Sequence, residues 1–246
     1  MYLSWIIPAY NEEKRIARTL REVDTYLRAR KAAGRIAGYE IIVANSASRD
    51  RTAAVLEGLR NEIADLKLLN LENRGKGWAV KRGMLAARGD IRLFSDADNS
   101  TAPANFDAMA VYFQQGYDVV ISSRDPKDVA GASRDVKEPW YRELLGNLGN
   151  LVIQAVGVWG VWDTQNGFKA LSAKAAGAIF SQSKINGFAF DIELLALARR
   201  FGCRIAVIPV RWRFDPDSRV TATAYLEVLV DVFRLRWNLI RRAYSL

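Results

Sequence analysis

An α/β protein with a mostly parallel sheet flanked by helices is the fold class this sequence predicts, on three observations. Short apolar runs alternate with longer stretches of helical periodicity through the first half of the chain, the pattern of repeated strand–helix units. The 246 residues suit one large domain, 1–220, followed by a small appendage, 221–246. Half of the residues (50%) are hydrophobic, enough to fill a sizeable core between sheet and helices.

Each element follows in chain order. Residues 3–7 read as the first strand, closed by Pro8. Asn11 is placed to cap a helix whose first turn carries Glu12 and Glu13, charges that suit the positive end of a helix dipole. Ile16, Leu20, Val23 and Leu27 recur at spacings of four, three and four and give that helix one buried face. Gly34 and Gly38 end the unit. Residues 40–44 form a second strand, 50–64 a helix, 66–71 a third strand and 77–88 a third helix. The fourth strand, 91–95, runs into Ser95-Asp96-Ala97-Asp98-Asn99-Ser100, and a helix from Pro103 and a strand at 119–122 follow.

The second half is less regular. Residues 124–142 are polar, charged and broken by Gly131 and Pro139, as in a long binding loop. Residues 144–162 are apolar and amphipathic, 187–201 predict a helix carrying Asp191 and Glu193, and 204–210 predict a strand. From 222 a final amphipathic helix places Leu226, Leu229, Phe233, Trp237, Ile240 and Tyr244 on one face, with Arg234, Arg236, Arg241 and Arg242 in its second half.

Composition narrows the chemistry. With 36 basic and 27 acidic residues the chain carries +9, a balance that suits phosphorylated substrates or an anionic membrane surface. Nucleic acid is not an expected partner, because no zinc-finger spacing, aromatic-basic RNA signature or helix-turn-helix pattern is present. The absence of histidine excludes His-based triads, bases and zinc sites. The one cysteine, Cys203, excludes an internal disulfide, reads as a small core residue and fits a reducing compartment. No leader is evident and no apolar run reaches the roughly 20 residues that span a bilayer. The expectation is a protein that is soluble or bound to a membrane surface on its cytoplasmic face.

The Asp96-Ala97-Asp98 run carries the most chemical information. Two carboxylates one residue apart at a strand end can hold Mg2+ or Mn2+, which keep several waters and take one or two carboxylates plus substrate phosphates. The triplet alone is also found in ordinary turns. Ligands of parallel sheets sit at the carboxyl ends of strands, where Pro8-Ala9-Tyr10 and Asn45-Ser46 also fall. Lys76, between two glycines at a helix start, is placed for a phosphate, although the Gly-Lys-Ser/Thr ending of a P-loop is missing.

In order along the chain stand Ile6-Ile7-Pro8-Ala9-Tyr10-Asn11-Glu12-Glu13, Ser48-Arg49-Asp50-Arg51-Thr52, Asn73-Arg74-Gly75-Lys76-Gly77, Asp96-Ala97-Asp98 and Ser122-Ser123-Arg124. Asp163-Thr164-Gln165-Asn166-Gly167-Phe168-Lys169, Phe188-Ala189-Phe190-Asp191-Ile192-Glu193-Leu194-Leu195 and Pro209-Val210-Arg211-Trp212 complete the set. This ordered set resembles family 2 glycosyltransferases, with the nucleotide-binding GT-A fold. It is most similar to the branch that transfers a sugar to a polyprenyl or dolichyl phosphate. The run from Gln165 to Lys169 is closest to dolichyl-phosphate β-glucosyltransferases and their bacterial relatives.

The resemblance implies a metal-dependent, inverting transfer from a nucleotide-sugar of UDP-glucose or GDP-mannose type to a polyprenyl phosphate. It implies that Asp98 holds the metal, with Asp96 on the metal or the donor ribose, and that Pro8, Ala9, Tyr10 and Glu12 line the nucleotide pocket. By position in the resemblance, Lys76 meets the donor, Arg124 and Arg142 clamp the acceptor phosphate, and the run from Gln165 to Lys169 forms the wall near the sugar and acceptor. Asp191 orients sugar hydroxyls or arginines if the acceptor is a phosphate; for a hydroxyl acceptor it becomes the general base. Three departures stand out: Asn45 and Ser46 replace the usual Asp pair, with Ala47 where glycine is usual; Ser100 stands where mannosyl-transferring relatives often place Gln; and the spanning helices of many relatives are absent. Asn45 still offers an amide to a base edge, so the choice of base stays open. Two other functions stay open as well: transfer to a saccharide hydroxyl, and nucleotide or lipid-phosphate binding without turnover. For the final helix, a membrane surface, a homodimer contact and packing on the sheet are the alternatives.

Overall fold

The computed structural model describes residues 1–134, 149–212 and 222–245. Strands β1 (Tyr2–Ala9), β2 (Gly38–Ser46), β3 (Leu66–Leu71), β4 (Ile91–Ser95), β5 (Val119–Ser123), β7 (Phe168–Ser172) and β8 (Ile205–Pro209) form one sheet in the order β3-β2-β1-β4-β7-β5-β8. All neighbours are parallel except β7, which runs antiparallel between β4 and β5. A two-stranded parallel pair, β6 (Ser133–Arg134) and β9 (Arg211–Trp212), lies apart from it.

The two-residue period of each strand sorts its side chains into two cores. Leu3, Trp5 and Ile7 join Ile41, Val43 and Leu93 on one face, beneath α1 (Ile16–Ala32), α2 (Thr52–Leu59) and α4 (Phe106–Gln114). Ile6, Ile42, Phe94 and Ile121 face the other way, toward α3 (Lys76–Ala86), α5 (Ala173–Gln182), α6 (Phe190–Arg200) and α7 (Ala222–Ile240). Each fully buried aliphatic or aromatic side chain contributes about 1.5–3 kcal/mol relative to exposure. Cys203 packs half-buried against the second core. The predicted α/β sheet with a C-terminal helix is therefore the observed one.

Several boundaries differ from the sequence reading. Pro8 does not close β1: pairing with β4 stops at Ile6–Phe94, so a missing N–H at Pro8 disturbs no ladder on that side. Asn11 does not cap α1. It adopts φ +55° and its side chain accepts from Arg49 N at 2.7 Å, while the helix begins at Ile16. Helix α2 is shorter than expected, with Asp50 Oδ1 accepting from Thr52 N at 2.9 Å just before it. Strand β7 and helix α5 were not among the expected elements. Within the expected 144–162 stretch, 144–148 lie outside the described residues, and a π-helical turn, Ile153–Gly157, ends the helical part. Helix α7 buries Val232 and Leu235; of the residues expected to share one face, Leu226, Phe233, Trp237 and Ile240 are exposed, and Tyr244, just beyond the helix, is buried. No helix among the described residues is long and apolar enough to cross a membrane.

Candidate active site

Parallel register brings the carboxyl ends of β1, β2 and β4 together, with Ala9 beside Asn45 and Asn45 beside Asn70. Asn45 donates from Nδ2 to Asn70 Oδ1 at 3.0 Å, and its own Oδ1 is buried with no hydrogen-bond partner. A buried acceptor left open in this way costs free energy unless something supplies a donor. Ser46 Oγ donates to Asn73 O at 2.7 Å and accepts from Gly75 N at 3.1 Å, so it tethers the loop that leads to α3. Ala47 holds φ +55°, the left-handed region that a β-carbon disfavours by about 1–2 kcal/mol.

Gly75 opens α3 at φ +151°, and a Cβ there would lie 2.4 Å from Asn186 O. That carbonyl accepts from Trp78 N at 3.1 Å, which seats the 183–188 loop against the helix start. Glu193, buried in α6, holds the same loop by accepting from Lys184 N and Ile185 N and also accepts from Tyr244 Oη at 2.6 Å. On the β1 side, the Arg74 guanidinium stacks 4.3 Å above the Tyr10 ring. Glu12 is buried and paired with Arg15, Oε1 to Nη2 at 3.0 Å.

The centre of the site is the end of β4. Lys76 Nζ lies 2.6 Å from Asp96 Oδ1. Burial works against the charged lysine, but the Asp96, Asp191 and Asp98 carboxylates outweigh it and hold its pKa above the usual value. Asp98 Oδ1 accepts from Ser100 N at 2.9 Å. Burial, then the charge of Asp96, push the Asp98 carboxyl above its ordinary range. Ser95, Asp96, Asp98, Asn99, Ser100, Thr101, Asn166, Gly167, Phe168 and Trp212 line a small cavity here. The Asn166 Nδ2 amide is buried without a partner. Two carboxylates at a polar cavity, one of them raised by burial and by its neighbour, are suited to a hard divalent cation. No group of three or more acidic, Cys or His side chains for a metal occurs among the described residues. The donor set thus fits a cation that keeps waters and shares substrate phosphates.

Strand β7 delivers the facing wall. Asp96 N donates to Gly167 O at 3.0 Å, and a Cβ at Gly167 would fall 2.0 Å from Asp96 Oδ2. Gly167→Ala is therefore expected to displace the Asp96 carboxylate. We expect metal-dependent nucleotide binding to weaken at least about tenfold, with a lowered melting temperature because the Asp96–Lys76 pair is disturbed. Calorimetric titration with UDP and Mn2+, beside a thermal melt, checks both.

Two of the predicted residues are engaged in ion pairs. Lys169 is wholly buried in β7, donating to Asn166 O and lying 2.6 Å from Asp191 Oδ1 in the first turn of α6. Burial lowers the lysine pKa and raises that of the aspartate, and the ion pair opposes both shifts. Arg124 sets its fork on Asp163, Nε to Oδ2 at 2.8 Å and Nη2 to Oδ1 at 2.7 Å, and stacks 5.2 Å from the Trp212 ring. Burial would raise Asp163, yet Arg124 holds it below the usual carboxylate range. Gln165 is half-buried, its Nε2 3.4 Å from Phe188 O. Arg142 lies outside the described residues. The sequence reading gave no role to Asp163 and Trp212, although both stand inside the quoted motifs.

Comparison with known proteins agrees with this geometry. The model of the family described as Glycosyl transferase family 2 matches residues 4–180, and the chain belongs to that family of glycosyltransferases. A dolichyl-phosphate beta-glucosyltransferase of Trichomonas vaginalis is 32% identical over 96% of this chain and 73% of its own length. The human dolichyl-phosphate beta-glucosyltransferase is 29% identical over 99% of the chain and 78% of its own. Among solved structures, glucosyl-3-phosphoglycerate synthase from Mycobacterium tuberculosis, in complex with Mn2+, UDP and phosphoglyceric acid, superposes with a TM-score of 0.68 at 19% identity, covering 98% and 78% of the two chains. The mannosyl-3-phosphoglycerate synthase from Rubrobacter xylanophilus gives 0.68 at 18%, covering 98% and 74%. These neighbours establish the GT-A fold.

Proposed function

We propose that this glycosyltransferase moves a glucosyl-type sugar from a nucleotide-sugar to a polyprenyl phosphate, with Mg2+ or Mn2+ bound at Asp98 and Asp96. The observation that carries the reading is the pair of carboxylates at the end of β4, with Lys76 on Asp96 and the open Asn45 acceptor at the neighbouring strand end. The names of the relatives support the polyprenyl-phosphate acceptor, and the Mn2+ and UDP of the structural neighbour support the donor and metal.

When bound, the cation supplies neutralisation of the charge that builds on the leaving diphosphate. The chain's own groups do the remainder. The Asn45 amide oxygen takes an N–H of the base, and Pro8, Ala9 and Tyr10 border the nucleoside. Lys76, which in the structure pairs with Asp96, would offer its ammonium to the donor phosphates. The turn at 165–167 closes the sugar side. Positioning of a phosphate nucleophile against the anomeric carbon, on the face opposite the nucleotide, accounts for inversion.

An acceptor hydroxyl would need a base. Asp191, the candidate for it, is buried on Lys169, which favours an acceptor that is already ionised. Transfer of labelled sugar from a panel of UDP- and GDP-sugars to undecaprenyl phosphate, with Mn2+ or with EDTA, tests the proposal. An organic-extractable product formed only with metal is expected. Donor hydrolysis or binding without lipid product would overturn the acceptor assignment, and no binding of any donor would overturn the transferase reading for this site.

A further inference from the structure

Helix α7 shows a face that the transferase site does not use. Its inner face is fixed: Val232 and Leu235 are buried, Val228 and Leu239 pack against the same core, and Tyr244 is locked to Glu193 just beyond the helix. Its outer face carries Leu226, Val230, Phe233, Trp237 and Ile240 at steps of four, three, four and three, exposed at 66%, 58%, 58%, 58% and 62%. At 3.6 residues per turn these five form one stripe along the helix. Helical angles place Arg236 along one border of the stripe. Arg241 stands at its far end, with its guanidinium 5.3 Å from the Trp237 ring. Across 225–245 four arginines (Arg234, Arg236, Arg241 and Arg242) stand against Glu227 and Asp231, and Asp231 already pairs with Arg234 at 2.7 Å. The segment packed beside the helix also exposes Leu151 and Trp159.

We propose that this face is a docking surface for an anionic lipid bilayer, with α7 lying in the headgroup layer. Aromatic and aliphatic side chains along one side and arginines at the border are the chemistry of an interfacial helix. The net charge of +9 on the whole chain acts in the same direction. A second copy of the chain suits the face less well. A stable dimer typically draws on about 20–30 residues a side, whereas this stripe offers five apolar side chains from one helix.

The inference stands on α7 alone, so its failure leaves the donor site untouched. The full chain is sedimented with vesicles of phosphatidylcholine and with vesicles that also contain phosphatidylglycerol. Binding is expected only with the anionic vesicles and is expected to fall with added salt. Arg236→Gln with Arg241→Gln should weaken it roughly thirtyfold, on about 1 kcal/mol per basic residue. Phe233→Glu with Trp237→Glu should remove it, while melting temperature and UDP binding stay unchanged because both side chains are exposed. Sedimentation with neither vesicle, or equal binding by the glutamate variant, would overturn the proposal. So would a dimer in light scattering that Phe233→Glu turns into monomer.

Discussion

Asp98→Asn is expected to lower sugar transfer by roughly 10³-fold or more, about 4 kcal/mol of transition-state stabilisation, without harm to the fold. The side chain keeps its size and its bond from Ser100 N, so the turn after β4 has no reason to move. What is lost is one of two negative charges lining a small polar cavity. Burial and Asp96 already hold the Asp98 carboxyl up, so removing its charge relieves repulsion between the two side chains. Stability should therefore stay level or rise slightly while Mn2+ affinity collapses. Electron paramagnetic resonance titration of Mn2+ in the presence of UDP reads the metal directly, beside turnover and a thermal melt. Unchanged Mn2+ binding in Asp98→Asn would reject Asp98 as a ligand. Loss of fold together with activity would mean that the carboxylate is structural. Asp96→Asn gives the contrast: it takes a partner from Lys76, so a larger change in stability is expected there.

The parallel half of the fold was legible because its cause is local. Ile16, Leu20, Val23 and Leu27 declare a buried helix face by spacing, and all four are buried. The place of Asp96 and Asp98 was equally readable, since a strand that ends in carboxylates puts them at the ligand end of a parallel sheet. Strand β7 was not readable. Phe168-Lys169-Ala170-Leu171-Ser172 sets a lysine at the second position of a strand whose first four residues are buried, and Asp191, 22 residues further on, makes that tolerable. The same holds for Arg124, whose partner Asp163 is 39 residues away. Such pairings are long-range facts that no window of sequence contains, and they tie Lys169 to Asp191 and Arg124 to Asp163. Helix α7 fails differently. Apolar residues occupy two of its faces, and periodicity cannot say which of the two meets the core.

Replacing Lys169 alone with methionine is expected to destabilise the protein by about 3–5 kcal/mol, because it strands the Asp191 carboxylate in the interior. The lysine is 0% exposed and the aspartate 1%, so water cannot replace the lost partner. Lys169 also bonds Asn166 O, so the turn carrying Gly167 should loosen at the same time. Removing both charges reverses the argument. Lys169→Met with Asp191→Leu leaves no unpaired ion, and a buried pair exchanged for apolar groups is typically neutral or stabilising by about 1–4 kcal/mol. The double variant should regain most of the lost stability, and a denaturant-unfolding cycle over the two singles and the double gives the coupling energy. UDP affinity adds the functional half. If Asp191 acts only as the counter-ion of Lys169, the double variant binds UDP and Mn2+ close to wild type. A double variant as unstable as the single would refute the desolvation account. A stable double variant that still fails to bind nucleotide would make Asp191 part of the donor site through its field on Lys76, since its charge is among those that hold that lysine protonated.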